Sequence, residues 1–179
     1  MQQCVALLRA INVGGRVVKV ERLRQIFTAA KFRAVQTFIA SGNVIFECNA
    51  TGIAEVEEQI ENCLSASLGY EVATFVRTTG EVAQIAELNP FSTEAEDGST
   101  LYIGFLKRAP ERRARESVEL LSSATDLFHI NKRELYWLCR TRLSDSPVSG
   151  AVLEKKLGMA MTMRNRNTLR RIAAAFPAS

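Results

Sequence analysis

Five consecutive apolar residues, Cys4-Val5-Ala6-Leu7-Leu8, open the chain, and Arg9 ends them. In a strand, alternate side chains point to opposite faces. Cys4, Ala6 and Leu8 therefore share one face, and Val5 and Leu7 the other. Both faces are apolar, so this strand must be buried on both sides. A sheet with one solvated face cannot accommodate it, and any fold the chain adopts has to cover the sheet twice.

The pattern that follows narrows the choice. Leu23, Ile26, Phe27 and Ala30 fall at helical spacing. Val35 to Ala40 and Val44 to Cys48 are β-rich runs separated by Ser41-Gly42-Asn43, which predicts a tight hairpin with Gly or Asn supplying positive φ. Ile53, Val56, Ile60, Cys63, Leu64 and Leu68 predict a second helix closed by Gly69, its Glu55, Glu57, Glu58 and Glu61 facing solvent. Val72 to Val76 predicts a fourth strand. The order strand, helix, strand, strand, helix, strand is the split βαβ arrangement of ferredoxin-like domains. Thr78 and Glu81, three apart, then form a capping box for a short helix that Asn89-Pro90 stops.

Residues 92–98 are small and acidic and read as a linker between halves at 1–91 and 99–179. The second half repeats the first in outline. Leu101, Ile103 and Phe105 alternate as a strand, and Pro110 opens a helix. Asp126 to Ile130 and Glu134 to Cys139 form strands joined at Asn131-Lys132-Arg133. Ser146-Pro147 opens a helix that Gly158 closes, and a last helix runs from about Arg164 to Phe176. The expected class is α+β, two ferredoxin-like βαββαβ-type halves packed together.

This topology points to one end of the first sheet. The first and second strands run parallel, so Arg9 to Asn12 and the Ser41-Gly42-Asn43 hairpin share an end, about 10 Å apart with one strand between them. An Arg, Asn side chains and Gly-containing backbone there suit a phosphate or carboxylate. Turn chemistry alone also explains Gly42 and Asn43. A second cluster lies near the C-terminus. Thr162 is read as capping a helix whose first turn carries Arg164, Asn165, Arg166 and Asn167. Cations are unfavourable there, so either a bound anion or nearby carboxylates would have to balance them.

These same residues carry a family resemblance. The run Val5 to Gly15, the segment Thr37 to Phe46, Asn89-Pro90-Phe91, and Glu154 to Gly158 through Thr162 to Thr168 together resemble the family of bacterial proteins called domain of unknown function 1697. The resemblance implies a compact cytoplasmic protein built of ferredoxin-like units and carries no assigned activity. The chain departs from the family at Ala10, where Gly is usual, at Arg166, where an aromatic is usual, and along 139–149.

Composition excludes several classes. Of 179 residues 47% are hydrophobic, and no apolar run approaches the roughly 20 residues of a membrane helix. No signal peptide opens the chain, so the expected location is cytoplasmic. The net charge of +4 is uneven: residues 1–90 carry 8 Lys+Arg against 9 Asp+Glu, and residues 91–179 carry 15 against 10. A basic second half tolerates an anionic partner but lacks the dense stripes of nucleic-acid binders. The exposed aromatics of an RNA-recognition sheet are missing. The four cysteines, Cys4, Cys48, Cys63 and Cys139, show no metal-binding spacing and read as core residues. Trp137 reads as core. His129 is the only histidine, with no nucleophile motif, and neither a Walker loop nor a dinucleotide fingerprint occurs. No metal and no cofactor are expected.

Three readings follow. The first is a binding module for an anionic small molecule or nucleic acid, through Arg9, Asn12, Ser41, Gly42, Asn43, Arg164, Asn165 and Asn167. The second is a metal-independent enzyme acting on a small metabolite. The third is an interaction domain that buries its apolar sheet face in a homo-oligomer.

Overall fold

The computed structural model describes residues 1–12, 14–15, 17–39, 42–48, 52–91 and 98–177. Ser41 and residues 92–97 of the expected linker lie outside them. The fold is α+β, with two four-stranded antiparallel sheets. The first unit spans Met1–Gln84 with Arg170–Ser179, and the second spans Ile85–Leu169.

In the first unit the elements are β1 (Gln2–Leu8), α1 (Val20–Ala29), β2 (Arg33–Thr37), β3 (Asn43–Cys48), α2 (Ile53–Leu68) and β4 (Thr74–Thr78). The strand order is β2-β3-β1-β4. β1 is central, as its two apolar faces require. Cys4, Ala6 and Leu8 join Val44, Phe46 and Val76 under Leu23, Ile26 and Phe27 of α1 and Val56, Ile60 and Leu64 of α2. Phe27, Phe32 and Phe46 meet edge to face or tilted at 4.8–5.8 Å. Val5, Leu7, Ile45 and Phe75, on the opposite face, are buried as well. α2 has the expected bounds, and Gly69 ends it at φ 79. The capping box is formed: Glu81 N donates to Thr78 Oγ1 (3.1 Å) and Thr78 N to the Glu81 carboxylate (2.8 Å). It starts α3 (Thr79–Glu87).

The second unit repeats the order with β5 (Thr100–Leu106), α4 (Arg112–Glu119), β6 (Asp126–Asn131), β7 (Glu134–Cys139), α5 (Gly150–Leu157) and β8 (Met161–Asn165); α6 (Arg166–Ala175) follows in the chain, and from Arg170 on it belongs to the first unit. Its strand order, β6-β7-β5-β8, matches the first. Phe128, Trp137, Leu106, Leu153 and Leu157 build its core. Asp126 is fully buried and accepts from Trp137 Nε1 (2.7 Å), Ser146 Oγ (3.0 Å) and Thr125 Oγ1 (2.9 Å).

Four local expectations are corrected. Residues 161–165 are a strand, not the approach to a helix: they pair with β5, Met161 opposite Leu106 through Asn165 opposite Tyr102. α5 begins at Gly150 with Ser149 as its cap, because Ser146 is held by Asp126. Pro110 precedes α4 by two residues, and Glu111 is the cap. Glu57 and Glu61 are not solvated. β4 is an edge strand, and its outward N–H groups need acceptors. Glu57 accepts from Val76 N (2.8 Å) and Glu61 from Thr74 N (2.7 Å).

Candidate functional site

The exit of β1 is held from both sides. Leu8 N donates to Gly42 O (2.9 Å), and Arg9 N to Ala73 O (2.9 Å). Leu7 faces Asn43 in register. The hairpin loop therefore lies against the end of β1 itself, closer than the expected 10 Å, because it leads into β3 and β3 is the strand that pairs with β1. Arg9, Ala10 and Asn12 are exposed, while Ile11 is buried and anchors the loop. Ala10 (φ 53), Gly14 (φ 69) and Gly15 (φ 80) adopt left-handed backbone. That conformation costs an alanine roughly 1–2 kcal/mol and a glycine little. Glycine would therefore suit the backbone found at Ala10.

Two of the candidate residues here are structural. Asn12 Oδ1 accepts from Val18 N (2.7 Å) and closes the loop on the approach to α1. Asn43 is buried, and its amide donates to Phe38 O (3.1 Å) and Ile39 O (3.0 Å), clasping the hairpin. Among the hairpin's described residues the left-handed one is Ile39 (φ 48), not Gly42 or Asn43. A β-branched side chain rarely takes that conformation, and the asparagine clasp helps hold it there. Arg9 and Gly42 are thus brought together at one sheet end, with Asn43 behind them as support.

The second cluster is built differently from its expectation. Thr162, Arg164 and Asn165 lie in β8 and Asn167 in the first turn of α6, so no helix N-terminus carries Arg164. Arg164 donates to Thr162 Oγ1 (2.9 Å) and Met163 O (2.8 Å). Burial pushes its guanidinium down to about 10. Asn165 Oδ1 accepts from Asn167 N (2.7 Å), which starts α6. Arg166 donates to Ala86 O (2.7 Å) and Glu87 O (3.1 Å), satisfying carbonyls at the end of α3.

One charged group escaped the sequence reading. Arg77, in β4, is 1% exposed, donates to Val76 O (2.8 Å) and lies 3.9 Å from Glu57. Its signal was an arginine inside the apolar run Phe75-Val76-Arg77. His129 is half-exposed beside Glu119 (3.5 Å), and Glu119 also meets Arg115 (3.5 Å) and accepts from Ile130 N (3.1 Å). It belongs to a surface ion cluster at the β6 edge, where Arg115 also donates to Ile130 O. No group of three His, Cys, Asp or Glu suited to a metal occurs among the described residues. No helix among them is long and apolar enough to cross a membrane.

Comparison with known proteins bears on the whole chain. The conserved bacterial protein SP0830 from Streptococcus pneumoniae, a solved structure, is similar over 97% of both chains at 19% identity and TM-score 0.71. At that identity the likeness is one of fold. A search of curated proteins gives no match. The model of the family described as protein of unknown function (DUF1697) matches residues 1–136, which take in the β1 exit and the hairpin but stop short of the resembling segments after Glu154. On that match over most of its length, this chain belongs to the DUF1697 family.

Proposed function

We propose that the chain is a cytoplasmic binding module for an anionic, phosphate-bearing ligand, taken up at the β1 exit. The observation that carries the reading is the exposed Arg9 at the end of the central strand, next to Gly42 and followed by left-handed backbone at Ala10, Gly14 and Gly15. An arginine fork beside left-handed, glycine-containing backbone suits the shape and charge of a phosphate. Functional groups concentrate on loops that a rigid sheet positions. The four free cysteines fit a reducing compartment. In this reading Asn12 and Asn43 hold the frame and make no ligand contact. Arg164, Asn165 and Asn167 shape the turn from β8 into α6.

The test is a salt titration with two probes, a nucleoside monophosphate and a fluorescent single-stranded oligonucleotide. Both should bind more weakly as salt rises if phosphate carries the affinity. Arg9→Ala should weaken binding roughly tenfold, the scale of a lost charge-assisted hydrogen bond. Oligonucleotide binding without monophosphate binding assigns the site to nucleic acid, and the reverse to a small metabolite. No binding of either at low salt, or an Arg9→Ala variant that binds as the wild type, overturns the reading.

A further inference from the structure

Cys4 and Cys48 are free thiols whose sulfurs lie 3.5 Å apart on the two central strands of the first sheet. The register explains the approach. Gln2 pairs with Cys48 and Cys4 with Phe46, so the two cysteines are diagonal neighbours across the β1–β3 ladder. Both point to the face covered by α1 and α2. Diagonal positions are normally too far apart for a bond between short side chains, yet here the sulfurs are already in contact. Cys63 and Cys139 stand apart in this respect: Cys63 lies within α2, and Cys139 bonds to Thr141 (3.3 Å).

We propose that Cys4 and Cys48 form a reversible intramolecular disulfide when the protein meets a low-molecular-weight disulfide such as oxidised glutathione. The order of events follows from position. Cys48 is the last residue of β3 and retains 7% exposure, whereas Cys4 has none. Strand ends open more readily than strand centres, so Cys48 is the attacking thiol. Its thiolate attacks one sulfur of the glutathione disulfide, forms a mixed disulfide and releases one glutathione thiolate. Cys4 then loses its proton to solvent, attacks the Cys48 sulfur and expels the second glutathione. Two protein thiols and one glutathione disulfide become one protein disulfide and two glutathione thiols. Burial, and then the neighbouring Cys48, raise the Cys4 thiol well above the ordinary range, which suits a slow resolving partner better than an attacking one.

The consequence is structural. The new bond staples the start of β1 to the end of β3, at the sheet end opposite Arg9. Closing it brings the two sulfurs from 3.5 Å to bonding distance, and thiol–disulfide exchange with a dithiol reverses it. A buried thiol pair of this kind would be invisible while the compartment stays reducing.

The experiment treats the intact folded chain with oxidised glutathione, then counts free thiols after denaturation in a blocking buffer. Two of the four cysteines should be lost, the mass should fall by two hydrogens, and peptide mapping should join Cys4 to Cys48; dithiothreitol should restore all four. In Cys4→Ser the reaction should stop at a glutathione adduct on Cys48. Cys63→Ser should behave as the wild type and guards against misfolding in the other variant. Four free thiols after prolonged oxidation, or a disulfide that maps to Cys63 or Cys139, overturns the proposal.

Discussion

The two halves repeat one construction closely enough that their differences become informative. Leu8 N donates to Gly42 O in the first, and Leu106 N to Arg133 O in the second, both at 2.9 Å. The residue after each central strand is a cation, Arg9 or Lys107. Arg77 lies opposite Val5 in β4 as Arg164 lies opposite Ile103 in β8. What differs is the material between the elements. The stretch from β1 to α1 covers residues 9–19, with three left-handed positions among its described residues, whereas the stretch from β5 to α4 covers only 107–111. The hairpin of the first half spans 38–42, that of the second only Lys132 and Arg133. The scaffold is repeated, and one sheet end of the first half carries the longer connections.

The sharpest way to test this comparison is to remove the carboxylates that satisfy the edge strands. Glu57 is buried, accepts from Val76 N and stands beside the buried Arg77. Glu57→Ala removes the acceptor of the Val76 amide and the buried carboxylate beside Arg77, a loss of about 3–5 kcal/mol. Glu154 in the second half accepts from Met161 N (2.9 Å), which sits opposite Leu106 as Thr74, the donor to Glu61, sits opposite Leu8. Glu154→Ala should cost about 1–2 kcal/mol. Urea denaturation of both variants reads the difference directly. Equal losses would mean that the Arg77 pair adds nothing and that the halves are energetically alike.

A smaller effect separates the two cations. Arg9→Ala and Lys107→Ala are both surface changes and should each alter stability by less than about 0.5 kcal/mol. Only the first should weaken binding of the phosphate probes, by roughly the tenfold expected for one charge-assisted contact. If Lys107→Ala weakens binding as much, the ligand does not distinguish the halves and the elaborated loop is not its site.

Backbone strain gives a smaller difference still. Ala10 occupies φ 53, and Ala10→Gly exchanges that strain for the greater chain entropy of glycine. The net should be a gain of about 0.5–1 kcal/mol, measured as a higher unfolding midpoint. A loss would mean that the Ala10 methyl packs against something worth more than the strain.

Legibility followed how local the determinants were. α2 could be read to the residue because its apolar spacing and the left-handed Gly69 are signals within the helix itself. The Thr78–Glu81 capping box was equally local. β8 was not legible: Met161 to Asn165 run into α6 with no turn residue between, and pairing with β5 makes them a strand. Glu57 and Glu61 looked like an outer helical face because nothing near them tells that β4 is an edge strand in need of acceptors. At the candidate site the neighbourhood of Arg9 and the hairpin was readable from topology. That Asn12 and Asn43 are spent on backbone bonds was one of the alternatives open to turn chemistry, and only coordinates decide it. The Cys4–Cys48 contact depends on strand register, which two cysteines 44 residues apart do not reveal.

The smallest expected effect concerns Arg164, which shares its position in the repeat with Arg77 but not its surroundings. Burial lowers its pKa to about 10. A lowered base means that folding disfavours the charged form. At neutral pH that penalty is present in full, and it is relieved as pH climbs through about 10, because the unfolded chain then holds the proton more tightly than the folded one. Arg164→Met removes the penalty together with the bonds to Thr162 and Met163. The two changes oppose each other, so denaturation at pH 7 should differ from the wild type by less than about 1 kcal/mol. Arg77→Met, which leaves Glu57 buried without its cation, should cost about 3 kcal/mol. The wild type should also gain on Arg164→Met as pH rises through 10, since only the wild type has a penalty to lose. A loss as large as that of Arg77→Met would show that the second half holds its arginine as firmly as the first, and the contrast between the halves would then rest on their loops alone.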